Sequence, residues 1–129
     1  MPTIFSRIIA GEIPAYKVAE TDRFLAFLDV QPLKEGHTLC IPKQETDFIF
    51  DLDEQTHADL WSFARDVAQK LKRAVPAQRI AVAVIGLEVP HAHIHLVPID
   101  ATAELNFKNP RVQVTAERMK ELAEKIGKA

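Results

Sequence analysis

Three histidines at alternate positions, His91, His93 and His95, form the most chemically suggestive pattern in the sequence, with Ala92 and Ile94 between them. In an extended strand, residues two apart point to the same face with a spacing of about 6.6 Å, so the three imidazoles would form a row. Neutral imidazole is nucleophilic near neutral pH, and an imidazole bonded to phosphorus is a good leaving group. The pattern therefore indicates a two-step displacement at phosphorus, with flanking imidazoles donating to the phosphoryl oxygens.

Two other interpretations of the histidine row remain open. The imidazoles could simply face water or pair with one another, but three adjacent groups that repel when protonated are a poor choice for stability. They could also bind zinc, but successive same-face positions diverge along a strand, whereas a tetrahedral ion needs converging ligands. Phosphate chemistry is therefore the favoured interpretation.

Five apolar segments rich in β-formers predict the strands that would position these side chains. Turn-forming residues separate them, and the first segments are joined so closely that neighbouring strands should be antiparallel. The predicted strands are Tyr16–Glu20, Arg23–Asp29, His37–Pro42, Arg79–Ile85 and His91–Ile99. The histidine row lies on the last of them.

Three helices are predicted around this sheet. A brief one spans Ile4–Ala10, and a long one spans Glu54–Ala74 with Asp53 as its N-cap and an apolar stripe for one sheet face. A third begins after Thr115 and ends at Gly127. The sum is an α+β fold with a central antiparallel sheet.

Length and composition limit the classes of protein. At 129 residues and 47% hydrophobic, the chain favours one domain with one core. A formal charge of −2 argues against a nucleic-acid partner, so any bound nucleotide should be small. No leader or membrane-spanning run is predicted, which favours a cytoplasmic protein with no membrane partner. The single cysteine, Cys40, is expected to be a buried thiol.

The segment from His91 to Val97 resembles the signature of the histidine triad (HIT) family of nucleotide hydrolases and transferases. Three further segments, 4–15, 24–29 and 36–43, are similar in kind and order to the family's N-terminal half. The resemblance covers residues 3–99, and implies a five-stranded antiparallel sheet in a HIT-like domain over residues 1–129, with residues 100–129 as a C-terminal extension. It also implies a purine nucleotide or nucleotide conjugate as ligand and a homodimer whose sheets join edge to edge.

Roles carry over from the family position by position. His93 matches the nucleophile, the carbonyl of His91 would hold its Nδ1–H, and His95 matches the residue that contacts the phosphate and helps the leaving group. His37 matches a fourth histidine behind the triad, and Asp29 matches the acid that binds both ribose hydroxyls. The apolar slot for the base would consist of Phe5, Ile8, Ile13, Phe27 and Leu39.

The sequence departs from the phosphoramidase pattern just before the triad. Leu87 and Glu88 stand where such family members carry Gln and then Ser or Thr, so two polar contacts to the phosphate or leaving group are missing. A carboxylate repels an anionic phosphate unless it faces a positively charged leaving group. We therefore expect Glu88 to select an amine-bearing leaving group.

Some relatives hold structural zinc with a Cys-x-x-Cys pair and a later histidine. This chain has Thr3 and Ser6 at the cysteine positions and Glu45 at the histidine position. Oxygen atoms of this kind suit zinc poorly, so the sequence predicts a protein with no metal and no cofactor.

The resemblance predicts a hydrolase or nucleotidyl transferase that forms a nucleotidyl-histidine and releases a nucleoside monophosphate. Its expected substrate is a purine nucleoside phosphoramidate or related conjugate. Two alternatives remain: a dinucleoside polyphosphate hydrolase, and a catalytically weak nucleotide-binding sensor, which the loss of polar groups at 87 and 88 would favour.

Overall fold

A five-stranded antiparallel sheet with three helices makes up the computed structural model, which describes residues 2–129; Met1, the first residue of the predicted domain, lies outside them. The strand order is β1-β2-β3-β5-β4. The strands are β1 (Lys17–Glu20), β2 (Phe24–Leu28), β3 (Thr38–Pro42), β4 (Arg79–Ala83) and β5 (Ile94–Ile99), and the helices are α1 (Ile4–Ile9), α2 (Glu54–Ala74) and α3 (Ala116–Lys128). The predicted α+β fold is confirmed.

Side-chain caps explain where the helices begin. Asp53 Oδ2 accepts from the backbone N–H of Thr56 at the start of α2, over a distance of 3.1 Å. Thr115 Oγ1 accepts from Arg118 N–H in α3. At α1, a cap that the sequence did not indicate, Thr3 Oγ1 accepts from Ser6 N–H.

Strand alternation divides the core between the two faces of the sheet. Phe24, Ala26 and Leu28 of β2 pack with α2 and α3 in the larger apolar cluster. Leu25 and Phe27, on the opposite face, pack with α1 in a smaller cluster. The second face therefore has only a short helix over it, which leaves room for a cleft.

The strand that carries the histidines is shorter than predicted. β5 begins at Ile94, so His91 and His93 precede it rather than lie on it. The Ala92 N–H donates to Thr46 O (2.6 Å), and the His91 N–H donates to Val89 O (2.8 Å), so these amides are used outside the β-ladder. Side-chain alternation persists, because Ala92 and Ile94 both lie in the larger apolar cluster.

The C-terminal helix covers the chain's own sheet. The apolar side chains of α3 are buried in the larger cluster with α2 and β1; they are Met119, Leu122, Ala123 and Ile126. Cys40 is completely buried, as expected, and its burial raises the pKa of the thiol. Among the described residues, no helix is both long and apolar enough to cross a membrane.

Candidate active site

A cleft of about 510 Å³ opens on the sheet face that α2 and α3 do not cover. Two triad histidines, His93 and His95, lie at its floor beside Asp29. All five residues of the predicted base slot also line it: Phe5, Ile8, Ile13, Phe27 and Leu39. Residues that are far apart in sequence thus meet in one cavity, which is lined by apolar side chains as well as by imidazole and carboxyl groups.

His93 presents a lone pair to this cleft. Its Nδ1 lies 2.6 Å from the backbone oxygen of His91, and because a carbonyl can only accept, Nδ1 must carry the proton. Nε2 is then the unprotonated nitrogen. Burial lowers the pKa of His93, although Asp29 and Glu88 partly oppose this, so the ring is neutral near neutral pH. The arrangement can supply a nucleophilic nitrogen.

His95 has the opposite tautomer, which is set by a chain of hydrogen bonds through His37. The backbone N–H of Leu33 donates to His37 Nδ1 (3.0 Å), so the proton of His37 is on Nε2. His37 Nε2–H then donates to His95 Nδ1 (2.9 Å). His95 is left with its proton on Nε2, where it can donate to a ligand in the cleft. Burial lowers the pKa of both rings to about 3.

His91 is fully buried and linked to the N-terminal helix. Its Nε2–H donates to Pro42 O (2.8 Å), so Nδ1 accepts from the Thr3 hydroxyl (3.1 Å). The Ser6 hydroxyl donates to Glu45 Oε1 (2.5 Å), and Thr3 N–H donates to the same oxygen (3.2 Å). The oxygen atoms at the positions where relatives carry zinc ligands thus form a hydrogen-bond network.

Asp29 lies directly after β2 and lines the cleft. Its Oδ1 accepts from Gln31 N–H (2.8 Å), which leaves carboxylate capacity for a ligand. Burial raises the pKa of this carboxyl group. Asp29, His37 and His95 have ligand atoms within 4.8 Å of one another. A metal ion there would need the lone pairs that the His37–His95 hydrogen bond already occupies, so the site fits a metal poorly.

Leu87 and Glu88 line the rim of the cleft close to the triad. Leu87 is 89% exposed and supplies no polar group there. The negative charge of Glu88 acts on His93, where it raises the pKa against the effect of burial. Glu88 thus lines the same cleft as His93 and contributes negative charge to it.

Two residues of the C-terminal extension also line the cleft, and sequence reasoning missed both. The Phe107 ring packs edge-on against His95, with centroids 4.7 Å apart, and Arg111 lies over Phe107, with its Cζ 5.5 Å from the ring centroid. A hydrogen bond from Val112 N–H to Pro32 O holds this segment in place. No local pattern signals this, because the contacts join residues distant in sequence.

His57, the one histidine outside the triad and its His37 support, has aromatic partners on and near α2. Its Nε2 accepts from Trp61 Nε1 (3.2 Å), and its ring lies 5.6 Å from that of Phe50. The four-residue spacing between His57 and Trp61 on α2 is the signal that could have revealed this contact. Neither residue lines the cleft.

Comparison with known proteins agrees with this geometry. The HIT domain model matches residues 10–102. Adenosine 5′-monophosphoramidase hnt1 of Schizosaccharomyces pombe is 31% identical over 98% of this chain and 96% of its own length, and an uncharacterized HIT-like protein of Borreliella burgdorferi is 34% identical over 95% and 94%. The crystal structure of a Hit-like protein from Bartonella henselae is 30% identical, with a TM-score of 0.84 over 98% of this chain and 94% of that chain. Sequence and fold together show that the chain belongs to the HIT domain family.

Proposed function

We propose that this protein is a nucleotide hydrolase that cleaves the phosphorus–nitrogen bond of a purine nucleoside 5′-phosphoramidate or a related conjugate. The observation that carries the proposal is that His93 and His95 have opposite tautomers. Nε2 of His93 has a free lone pair, whereas Nε2 of His95 carries a proton that it can donate. A relative named adenosine 5′-monophosphoramidase supports the reaction class.

In the first step, His93 Nε2 attacks the α-phosphorus and the bond to the leaving nitrogen breaks. The amine departs with the bonding electron pair and takes up a proton from solvent. His95 Nε2–H donates a hydrogen bond to the phosphate and assists departure of the leaving group. The nucleotidyl-His93 that forms is an imidazolium, and the His91 carbonyl 2.6 Å from Nδ1 stabilises its charge.

In the second step, water attacks the same phosphorus and the nitrogen–phosphorus bond to His93 breaks. The imidazole leaves as the neutral ring with its proton on Nδ1, the starting tautomer. The water oxygen remains on phosphorus and its proton goes to solvent, so the product is a nucleoside monophosphate. The hydrogen-bond pattern around His93 needs no rearrangement between the two steps.

The nucleotide would lie along the cleft with its polar and apolar parts separated. Asp29 accepts hydrogen bonds from both ribose hydroxyls. The purine enters the apolar slot lined by Phe5, Ile8, Ile13, Phe27 and Leu39. This order places the α-phosphorus beside His93.

Glu88 would determine the specificity for the leaving group. Its carboxylate lines the same cleft as His93 and acts on the pKa of that residue. A negative charge there favours a substrate whose leaving half carries a protonated amine. No metal or cofactor takes part in this scheme.

The decisive experiment incubates adenosine 5′-phosphoramidate with wild type, His93→Ala and, as a matched control, His57→Ala, whose side chain lies outside the cleft. AMP release and the intact mass of the protein are followed. We expect AMP from wild type and His57→Ala, a transient mass increase of one nucleotidyl group, and a loss of at least about 10³-fold in His93→Ala. Equal AMP release by His93→Ala would reject the mechanism.

A second candidate is a nucleotide-binding sensor with little turnover, which the exposed Leu87 side chain favours because it offers no hydrogen bond to a phosphate. Tight AMP binding without product from any phosphoramidate would support the sensor. Product from a dinucleoside polyphosphate alone would instead indicate the polyphosphate hydrolase.

The protein would act as a homodimer. β4 is an edge strand, and its Val82 side chain is 45% exposed. Edge strands present unpaired backbone groups, and a second copy can pair with them about a twofold axis. Joining two β4 edges would make one continuous sheet.

A further inference from the structure

Arg111 reaches the cleft from the C-terminal extension and is held there by three contacts. Its Nη1–H donates to Gln31 O (3.0 Å), its guanidinium lies over the Phe107 ring, and the next residue, Val112, bonds to Pro32 O. Phe107 in turn packs on His95. The guanidinium is therefore positioned rather than free in solvent.

The charge of Arg111 acts on the Asp29 carboxyl group in the same cleft, where it lowers the pKa against the larger effect of burial. Within residues 2–129 Arg111 forms no salt bridge, although Arg23 and Arg118 both do. One backbone carbonyl accepts from it, so most of its N–H donors remain for a ligand. A half-buried guanidinium with unused donors, inside a cleft, is suited to bind an anion.

Arg111 borders the part of the cleft at His95, because its guanidinium lies over the Phe107 ring and that ring packs on His95. Its positive charge contributes to the lowered pKa of His95 and of His37, after burial, which is the larger cause. His95 is the residue assigned to the leaving group, so Arg111 and Phe107 lie where the leaving half of a substrate would extend.

We propose that Arg111, held by Phe107, is a specificity-determining residue that binds an anionic group, such as a carboxylate, in the leaving half of the substrate. The inference rests on the proposed function for the orientation of the substrate. It adds a substrate class: nucleotides joined through nitrogen to a moiety that carries its own acid group. Glu88 and Arg111 would then receive opposite charges of one leaving group at two points of the cleft.

The test measures binding, so that it does not depend on turnover. In a His93→Ala background, two compounds are titrated: AMP joined through phosphorus to the nitrogen of glycine, and the same conjugate of glycinamide. They differ in one negative charge. We expect the glycine conjugate to bind about tenfold more tightly, equivalent to about 1.4 kcal/mol. Arg111→Met should reduce this ratio to near one, and Arg111→Lys should retain part of it.

Arg7→Met is the matched control, because Arg7 is exposed on α1 and does not line the cleft. It should leave the tenfold ratio intact. Equal affinities for the two compounds in the Arg111-containing protein, or an unchanged ratio in Arg111→Met, would overturn the inference. Failure of the proposed function would appear separately, as the absence of AMP release by the protein with His93 intact.

Discussion

At the scale of single residues, backbone atoms decide which nitrogen of each imidazole is available. The carbonyl of His91 and the amide of Leu33 have opposite hydrogen-bonding character, and they impose opposite tautomers on His93 and, through His37, on His95. Spacing alone predicted a row of imidazoles. It could not predict the tautomer of His95, because that depends on a loop amide behind another strand.

Glu88 gives a prediction at this scale. Compared with wild type, Glu88→Ser should lose its preference for a leaving group that carries a free ammonium, because the serine has no charge to attract it. The measurement is the ratio of kcat/KM for AMP joined to ethylenediamine over AMP joined to ethylamine. We expect a ratio of about 2–5 in wild type, as for a partly exposed charge pair, and near one in the variant.

Glu12→Ser is the control for this experiment, because Glu12 is exposed and outside the cleft. It should keep the wild-type ratio. A Glu88→Ser enzyme that still prefers the ammonium compound to the same extent would show that Glu88 plays no part in choosing the leaving group.

At the scale of elements, the sequence predicted strands and helices well wherever the hydrophobic periodicity and the capping residues indicated the same boundaries. The boundaries of α2 were predicted from Asp53 and the apolar stripe, and the structure confirms both. The predicted start of β5 was wrong. Side chains continue to alternate through residues 91–93, but the β-ladder with β3 begins only at Ile94. Alternation shows only which way side chains point. It does not reveal a backbone hydrogen bond to a loop, such as the one that Ala92 N–H donates to Thr46 O.

The cap of α1 gives a prediction at this scale. Thr3→Val keeps the shape of the side chain but removes the hydroxyl that caps the helix and donates to the buried His91 Nδ1. We expect the free energy of unfolding to fall by about 1–3 kcal/mol, from the lost cap and the unsatisfied acceptor. Nucleotidyl transfer should also slow, since His91 holds His93. Urea denaturation and AMP release measure the two effects.

Thr3→Ser distinguishes the effect of the hydroxyl from the effect of the side-chain shape, because it keeps the hydroxyl and removes a methyl group. It should recover most of the stability and the rate. If Thr3→Val unfolds at the wild-type urea concentration, the hydroxyl has no role in coupling α1 to the triad.

At the scale of the whole molecule, the site is assembled from parts that the sequence could and could not connect. The residues of the apolar slot and the four histidines followed from the resemblance over residues 3–99. The structure brings the slot residues, His93 and His95 to one cleft, while His37 and His91 are fully buried and do not line it. Phe107 and Arg111 lay beyond that range. Their place depends on how the chain returns across the loop at Pro32 after β5, a tertiary contact with no local periodicity.

The edge of the sheet gives the last prediction. Two copies that pair through β4 would place their Val82 side chains in the new interface, where a lysine charge would have to be desolvated. Wild type should therefore sediment at twice the monomer mass, and Val82→Lys should sediment as a monomer at micromolar concentration. Val30→Lys, the same change at a side chain 71% exposed in the loop after β2, should remain dimeric. A Val82→Lys protein with the wild-type mass would place the interface elsewhere and leave the β4 edge facing solvent.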